Sequence, residues 1–263
     1  MIQASCNNFE PAPLLYIWDH RSLSFSGNGQ LAPHHHGAAE LIVALDKPFE
    51  SDLGQERRHT ARSLLIPPNV RHQNSHRDHI CPILYLDAEG RDYAQLTASM
   101  ATIDGVYRDF TFESRAREVL KRILAEQPSA DVCYDMIHRA IFSDTTAGRI
   151  SLDPRIAAVL KIIRGDPLTN YSADVLAERV GLSTDRMLHL FSEQVGVPVR
   201  TYRAWYRLKL ASKLRFEGRS LTEAAHQAGF TDSSHYTKTF RKYYGATPRD
   251  MLSHPARGAV FFG

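Results

Sequence analysis

Residues 175–191 read VLAERVGLSTDRMLHLF, and their pattern decides the architecture of the C-terminal half. Leu176, Ala177 and Val180 recur at helical spacing and stop at Gly181. Ala177 is small, as a residue must be where two helices cross. Gly181 supplies a turn, because a positive φ is cheap only for glycine. Leu182 plugs the corner and Ser183 caps the next helix. Met187, Leu190 and Phe191 then return at i, i+3 and i+4 and face inward. The reading is a helix-turn-helix. It leaves Thr184, Asp185, Arg186, Leu188, His189 and Ser192 facing out, and an outward Leu188 is unusual for a purely structural helix.

Forty-eight residues on, the pattern recurs in residues 222–240, TEAAHQAGFTDSSHYTKTF. Ala224, Ala225 and Ala228 match the first-helix positions, Gly229 matches Gly181 and Phe230 matches Leu182. The turn is one residue longer, so Tyr236 and Phe240 take the inward positions. The outward face carries Ser233, Ser234, His235, Thr237, Lys238, Arg241 and Lys242. Such a small, hydroxyl-bearing and basic face suits phosphates and base edges. A single helical hairpin with a glycine turn is common and most bind no DNA. Two copies in one basic half point to double-stranded DNA.

Between the copies, residues 198–217 (PVRTYRAWYRLKLASKLRFE) contain no breaker after the opening proline. A helix of that length is a rod of ~30 Å, against ~34 Å between successive major grooves on one side of a duplex. Trp205, Leu208 and Leu210 are expected to pack against both units, with Arg203, Arg207, Lys209, Lys213 and Arg215 available to phosphates. Any one of these charges, taken alone, reads better as a solvated helix face. The charge distribution agrees with a polyanion-binding half: residues 153–263 hold 17 Lys and Arg against 10 Asp and Glu, whereas residues 1–152 hold 15 against 19.

Composition excludes several classes. At 43% hydrophobic and 23% charged residues the 263-residue chain is ordinary globular protein. Its longest aliphatic run, Leu41–Leu45, falls far short of the ~20 apolar residues of a membrane helix. The start, MIQASCNNFEPAPLLYIW, lacks the parts of a secretory signal. Cys6, Cys81 and Cys133 form no C-x-x-C pair, so neither a disulfide framework nor a thiolate zinc site is expected, and the cytoplasm is the expected location.

The acidic half reads differently. Leu14–Trp18, Glu40–Leu45, Ser63–Ile66 and Pro82–Leu86 are short apolar runs separated by turn-forming clusters, among them Gly27-Asn28-Gly29, Asp46-Lys47-Pro48 and Pro67-Pro68-Asn69. They predict a β-sandwich or small barrel. Residues 113–125 and 130–143 predict two helices broken by Gln127-Pro128-Ser129, Ser143–Ser151 predicts a linker, and Asp153-Pro154 opens the next helix. His34, His36 and Glu40 share parity, so on an extended strand they point to one face while His35 points away; His72 follows the Pro-Pro-Asn turn. Three imidazoles and a carboxylate suit Zn, Mn, Fe, Ni or Co. Three uses stay open for these four residues: a bound transition metal, a pocket for a small organic effector, or a structural relic. His59, His76 and His79 lie in polar, Arg-rich stretches and read as loop residues.

Residues 153–252 resemble the DNA-binding domain of AraC/XylS-type transcription regulators. The stretches that carry the likeness are LAERVGLSTDRMLHLFSEQVGVPVRTYRAWYRLKLA and LTEAAHQAGFTDSSHYTKTFRKYYGATPRDML, with Gly229-Phe230, Phe240, Tyr244-Gly245 and Thr247-Pro248 the most specific. The resemblance implies a seven-helix domain with two helix-turn-helix units. It places base contacts on Asp185, Arg186, Leu188 and His189 in the first unit and on Ser233, Ser234, His235 and Lys238, with Arg241 beside them, in the second. Asp185 departs from the neutral or basic residues expected there. It reads better as a first-turn helix charge than as an acceptor from cytosine. In the acidic half, H-x-H-x3-E followed by P-x-N-x2-H resembles the two metal motifs of cupins, small jelly-roll barrels, over roughly residues 12–88. Ala61 and Asn69 stand where cupins prefer glycine.

Together the resemblances imply a two-domain α+β chain. Residues 1–90 form a cupin-like effector barrel, 91–150 a helical dimerisation or linker region, 153–252 the DNA-binding domain and 253–263 a tail. They imply a regulator of transcription rather than an enzyme. It binds promoter DNA and answers to a small-molecule effector at His34, His36, Glu40 and His72. The partners implied are a second copy of the chain and, for an activator, RNA polymerase, with no membrane. Val119, Ile123, Ile137 and Ile141 are expected in the intradomain core or at a dimer interface. The rival readings are a metal-dependent cupin enzyme, such as a dioxygenase or isomerase, with an appended DNA-binding domain, and a non-sensing architectural DNA binder.

Overall fold

The computed structural model describes residues 14–25, 31–75, 80–142, 152–252 and 259–262. The expected linker at 143–151, the glycine turn at 27–29, Cys6, His76 and His79 lie outside these residues.

Short apolar strands build the N-terminal half: β1 (Leu14–Ile17), β2 (Arg21–Phe25), β3 (Ala39–Val43), β4 (Phe49–Asp52), β5 (Arg58–Ala61), β6 (Ser63–Ile66), β7 (Gln73–Ser75) and β8 (Ile83–Leu86). Helix α1 (Arg91–Ser99), the hairpin β9 (Ala101–Ile103) and β10 (Val106–Arg108), then α2 (Glu113–Glu126) and α3 (Ala130–Ile137) follow, and α3 runs into a π-type turn over His138–Phe142. As the jelly-roll reading expects, the strands form two sheets in a jelly-roll-like arrangement, without closing into a barrel. One sheet has the order β11-β1-β2-β8-β3-β6-β10-β9, where β11 is Ala259–Phe262, and the other has the order β5-β4-β7.

Two of the expected boundaries move. The β9–β10 hairpin joins the sheet through β6, so the sheet does not end at residue 90. Part of the expected tail, β11, pairs parallel with β1, and Phe261 stacks on Tyr16 at 4.8 Å. His59 is also no loop residue: it lies buried in β5, with its Nε2 3.8 Å from an oxygen of Asp104.

Strands β3, β6 and β8 are buried along their whole length, as strands covered on both faces must be. On one face Leu41, Val43, Leu65 and Leu84 pack against Leu120, Ile123, Ile137 and Ile141 of the helices. These helical residues are therefore core of this domain, with Val119 partly buried against them. On the other face Ile42, Ile66, Ile83 and Tyr85 pack against Trp205, Leu208, Ala211, Tyr236 and Phe240, which belong to the helical half.

Seven helices build the helical half among the described residues, in agreement with the resemblance: α4 (Pro154–Gly165), α5 (Ala173–Arg179), α6 (Thr184–Val195), α7 (Val199–Phe216), α8 (Leu221–Gln227), α9 (Ser233–Tyr244) and α10 (Pro248–Leu252). Asp153 caps α4 by accepting from the Arg155 amide, with Pro154 in the first turn.

Candidate functional site

The two helix-turn-helix units form as the sequence predicts. In the first, Leu176, Ala177, Met187, Leu190 and Phe191 are buried, Gly181 takes φ +66°, and the Ser183 hydroxyl accepts from the Arg186 amide. In the second, Ala224, Ala225, Ala228, Tyr236 and Phe240 are buried, Gly229 takes φ +82°, and Asp232 caps α9 by accepting from the His235 amide. Asp185, Arg186 and His189 on α6 are exposed, as are Ser234, His235, Lys238 and Arg241 on α9. Ser233 is half-buried. Leu188 departs from the outward reading: it is half-buried and packs on the first unit's own core. Asp185 sits in the first turn of α6, where a carboxylate complements the positive end of the helix dipole.

The spacer helix α7 has 18 residues, a rod of about 27 Å. Four of its cations are already engaged within the chain, Arg215 with the Arg219 carbonyl one turn on and three with distant groups. Arg203 donates to the Asn170 side chain at 2.7 Å and the Tyr171 carbonyl at 2.8 Å, Arg207 to the Pro167 carbonyl at 2.8 Å, and Lys209 to the Asp19 carbonyl at 2.6 Å. They brace the helix instead of waiting for phosphates. Trp205 packs on the N-terminal sheet and on the second unit, so it does not join the two units to each other.

A second constellation lies between the halves. His34 and His36 are in irregular chain ahead of β3, so strand parity does not align them with Glu40. They converge because the His34 amide donates to the His72 carbonyl and the His72 amide returns the bond, both at 2.9 Å. The Asn69 amide donates to the His36 carbonyl at 2.8 Å, and Asn69 itself takes φ +62°, which explains why this turn position favours glycine and tolerates asparagine. All four side chains are buried, at 2% exposure each.

The donor atoms of His34, His36 and His72 all lie within 4.8 Å of one another, and Glu40 joins them through His36 and His72. His34 Nδ1 faces the Ala32 carbonyl at 2.8 Å and His72 Nδ1 the Val70 carbonyl at 2.9 Å. Donation to those carbonyls keeps a proton on Nδ1; in His34 it leaves the Nε2 lone pair turned inward, whereas the Nε2 of His72 faces the Glu40 carboxylate. His34 Nε2 lies 3.1 Å from His36 Nε2, His72 Nε2 lies 2.8 Å from Glu40 Oε2, and His36 Nε2 lies 3.4 Å from the same oxygen. A tetrahedral ion with donors at ~2.0–2.1 Å spaces them by about 3.3 Å. His36 Nδ1, Glu40 Oε2 and His72 Nε2 make no aligned hydrogen bond. Orphaned polar atoms in a buried site call for a partner such as an ion. Burial, aided by His36 and His72, drives the His34 imidazole down to about 3, and burial also lowers His36. Burial opposes the charges of Glu40 and His72 too, yet each offsets the other's cost: the Glu40 carboxyl is held well below the ordinary range and His72 is raised.

The helical half roofs this cluster, through residues the sequence did not single out for it. The His36 ring meets Trp205 edge-on at 5.3 Å and Tyr244 at 5.6 Å from the helical half, and Tyr85 of β8 at 5.0 Å from the sheet. A methyl group on Gly37 would overlap Trp205 Cβ. The Ala32 amide donates to the Gly245 carbonyl at 3.1 Å. His35, facing away from the cluster, meets Tyr243 at 5.1 Å. Elsewhere between the halves, Glu89 accepts from Tyr202 Oη at 2.8 Å and from Arg164, and Arg164 Nε donates to Tyr202 Oη at 2.7 Å.

Residues 176–254 match the helix-turn-helix domain family. Over 181 residues, 68% of this chain and 58% of the relative, the sequence is 24% identical to an AraC-like transcription regulator of Streptomyces antibioticus. Over 103 residues, 38% of this chain and 35% of the relative, it is 29% identical to the arabinose operon regulatory protein of Escherichia coli. The chain thus matches less than two thirds of the length of these relatives. In three dimensions it is similar to apo ToxT of Vibrio cholerae, with a TM-score of 0.56 and 13% identity over 92% of this chain and 96% of that one. It is also similar to ToxT with a bound unsaturated fatty acid, with a TM-score of 0.52 and 14% identity over 94% and 96% of the two chains. The likeness extends across both halves and shows the two-domain fold. No described helix is long and apolar enough to cross a membrane.

Proposed function

We propose that this chain, whose C-terminal domain is a helix-turn-helix domain of the AraC type, is a sequence-specific regulator of transcription whose N-terminal half senses a transition metal ion. The observation that carries the DNA reading is the pair of recognition helices, α6 and α9. Both present exposed polar side chains, and the braced helix α7 runs between them. Lys238, Arg241 and Lys242 give α9 the cations that phosphates require, and Arg186, His189, Ser234 and His235 supply base-edge donors and acceptors. Selection from a pool of random duplexes tests the reading. The expected product is a bipartite site with two blocks roughly one helical turn apart, about 10 base pairs. Recovery of unenriched sequence would make the chain an architectural binder.

The metal reading rests on the three imidazoles, whose donor atoms all lie within 4.8 Å of one another, with Glu40 against His36 and His72. So tight and buried a cluster suits an ion and not an organic molecule. An ion there would be held by His34, His36, His72 and Glu40, and it would supply charge to link them. ToxT carries a fatty acid; an organic effector in this chain would need a different place from these four side chains. The roof of Trp205, Tyr85 and Tyr244 also argues against an enzyme, because a catalytic metal keeps a position open to substrate and a closed site does not. Activation through RNA polymerase and assembly with a second copy remain parts of the proposal carried by the family likeness alone.

A further inference from the structure

We propose that Thr231 sets which bases His235 can read, by holding its imidazole in the tautomer whose outward nitrogen accepts a hydrogen bond. The proposal rests on the DNA reading above and names the bases that one of its contacts selects.

His235 stands in the first turn of α9, exposed on the recognition face. Its Nδ1 lies 3.1 Å from Thr231 Oγ1. That hydroxyl has one proton to give. It gives it to Asp232 Oδ2, at 3.4 Å. The other carboxylate oxygen, Oδ1, accepts from the His235 amide at 2.7 Å, so the carboxylate is held in place as the cap of the helix. The His235 amide first, then the Ser234 amide and the Thr231 hydroxyl, hold the Asp232 carboxyl below its ordinary range. An ionised carboxylate can only accept. It also draws a hydroxyl proton more strongly than a neutral ring nitrogen does. Thr231 Oγ1 therefore faces Nδ1 with a lone pair, and the imidazole supplies the proton between them. In the neutral ring this places hydrogen on Nδ1 and leaves Nε2 as the acceptor. The Phe230 ring meets the imidazole edge-on at 5.3 Å and backs it.

An acceptor has a restricted choice in the major groove. Adenine offers the N6 amino group and cytosine the N4 amino group, whereas guanine and thymine present only acceptors there. His235 is thus matched to adenine or cytosine at the position it reads. With hydrogen on Nε2 instead, it would donate to guanine or thymine. His189 on α6 is held differently: its Nδ1 lies 3.7 Å from Glu193 Oε2, beyond hydrogen-bond length. The selection therefore belongs to the second unit. Thr231 acts through His235 and is a positioning residue.

The test uses the full chain at pH 8. Selection from random duplexes by the wild type and by His235→Ala locates the position that His235 reads, as the one whose preference the variant loses. There the wild type is expected to enrich adenine or cytosine over guanine and thymine about fivefold, the yield of one neutral hydrogen bond. Thr231→Val keeps the shape and loses the hydroxyl. In it that preference is expected to fall below about twofold with the rest of the site unchanged, and Thr231→Ser is expected to restore it. Long-range proton–nitrogen correlation spectra of the free protein are expected to place the His235 hydrogen on Nδ1 in the wild type and in Thr231→Ser, and not in Thr231→Val. Enrichment of guanine or thymine at that position, or the hydrogen on Nε2 in the wild type, would overturn the inference and leave the DNA reading standing. So would a selected site that His235→Ala leaves unchanged, or a loss in Thr231→Val that is uniform across sequences, as for a phosphate contact. No enriched sequence for the wild type would overturn the reading of specific DNA and the inference with it.

Discussion

The interaction of Glu89 with Tyr202 and Arg164 offers a quantitative test of the join between the two halves. Glu89 stands just ahead of α1, with its side chain 5% exposed, while its partners lie on α7 and α4. Tyr202→Phe deletes one O–H donor to a carboxylate. Hydrogen bonds to charged groups contribute ~1.5–3 kcal/mol. Arg164 still serves Glu89 in that variant, so the lower part of the range applies, about 1.5–2 kcal/mol. Glu89→Gln removes the charge that Arg164 faces. Breaking a fully buried pair costs ~3–5 kcal/mol. The Arg164 side chain is 31% exposed, and water reaches part of its guanidinium. Asp87 also lies 3.6 Å from it. The expected loss is therefore nearer 2–3 kcal/mol. Because the two groups share one hydrogen bond, their effects should not add, and the double variant should recover about 1 kcal/mol of the sum. Urea denaturation of the four proteins, followed by far-ultraviolet circular dichroism, gives the cycle. A coupling within ~0.3 kcal/mol of zero would refute the joint as described.

Lys238→Ala and His235→Ala should each weaken binding to a selected duplex by ~1–3 kcal/mol if they read bases. Fluorescence anisotropy measures it, and unchanged affinity would remove the residue from the interface. Affinity should also fall steeply with salt; a flat response would exclude a phosphate-dominated contact. Burial pushes the Asp87 carboxyl up to about 7, against the pull of Lys209 and Arg164 and with the repulsion of Glu89 and Asp19. The folded chain then keeps a proton that the unfolded chain has released, so this group's contribution to stability is present at acid pH and is lost as pH rises through about 7. Asp87→Asn should flatten the fall in stability between pH 5 and 8, and an unaltered slope would exclude Asp87 as its source. Burial also pushes the Cys81 and Cys133 thiols up to about 12. In a Cys6→Ser background, a thiol reagent should label the native chain slowly and the denatured chain at once; rapid labelling of the native protein would contradict their burial.

What the sequence disclosed, and what it withheld, divides by the range of the interactions. The helix-turn-helix units were legible because their determinants are local: apolar residues at helical spacing, a glycine at positive φ and a capping hydroxyl all fall within seventeen residues of one another. The strands β2, β4, β5 and β7 and the hairpin β9–β10 are three to five residues long, too short for a period to stand out. Strand β11 has no meaning until Tyr16 is there to stack on Phe261. Charge type misled at Arg203, Arg207 and Lys209, because a basic side chain on a helix does not declare whether a carbonyl thirty or nearly two hundred residues away will take its protons.

The histidine site shows the same division within one feature. Spacing picked out four residues that the structure brings together, but strand parity was the wrong reason for their meeting. His34 and His36 lie outside the strand, and the paired backbone bonds between His34 and His72 bring the segments together. Nor did spacing foretell the roof. Gly37 reads as a loop glycine and Trp205 as a helix core residue until the two are seen in contact, with no space for a methyl between them. That contact changes the meaning of the site. The four side chains are closed in by both halves of the chain, so the cluster belongs to the packing between the halves and is not a feature of the sheet domain alone.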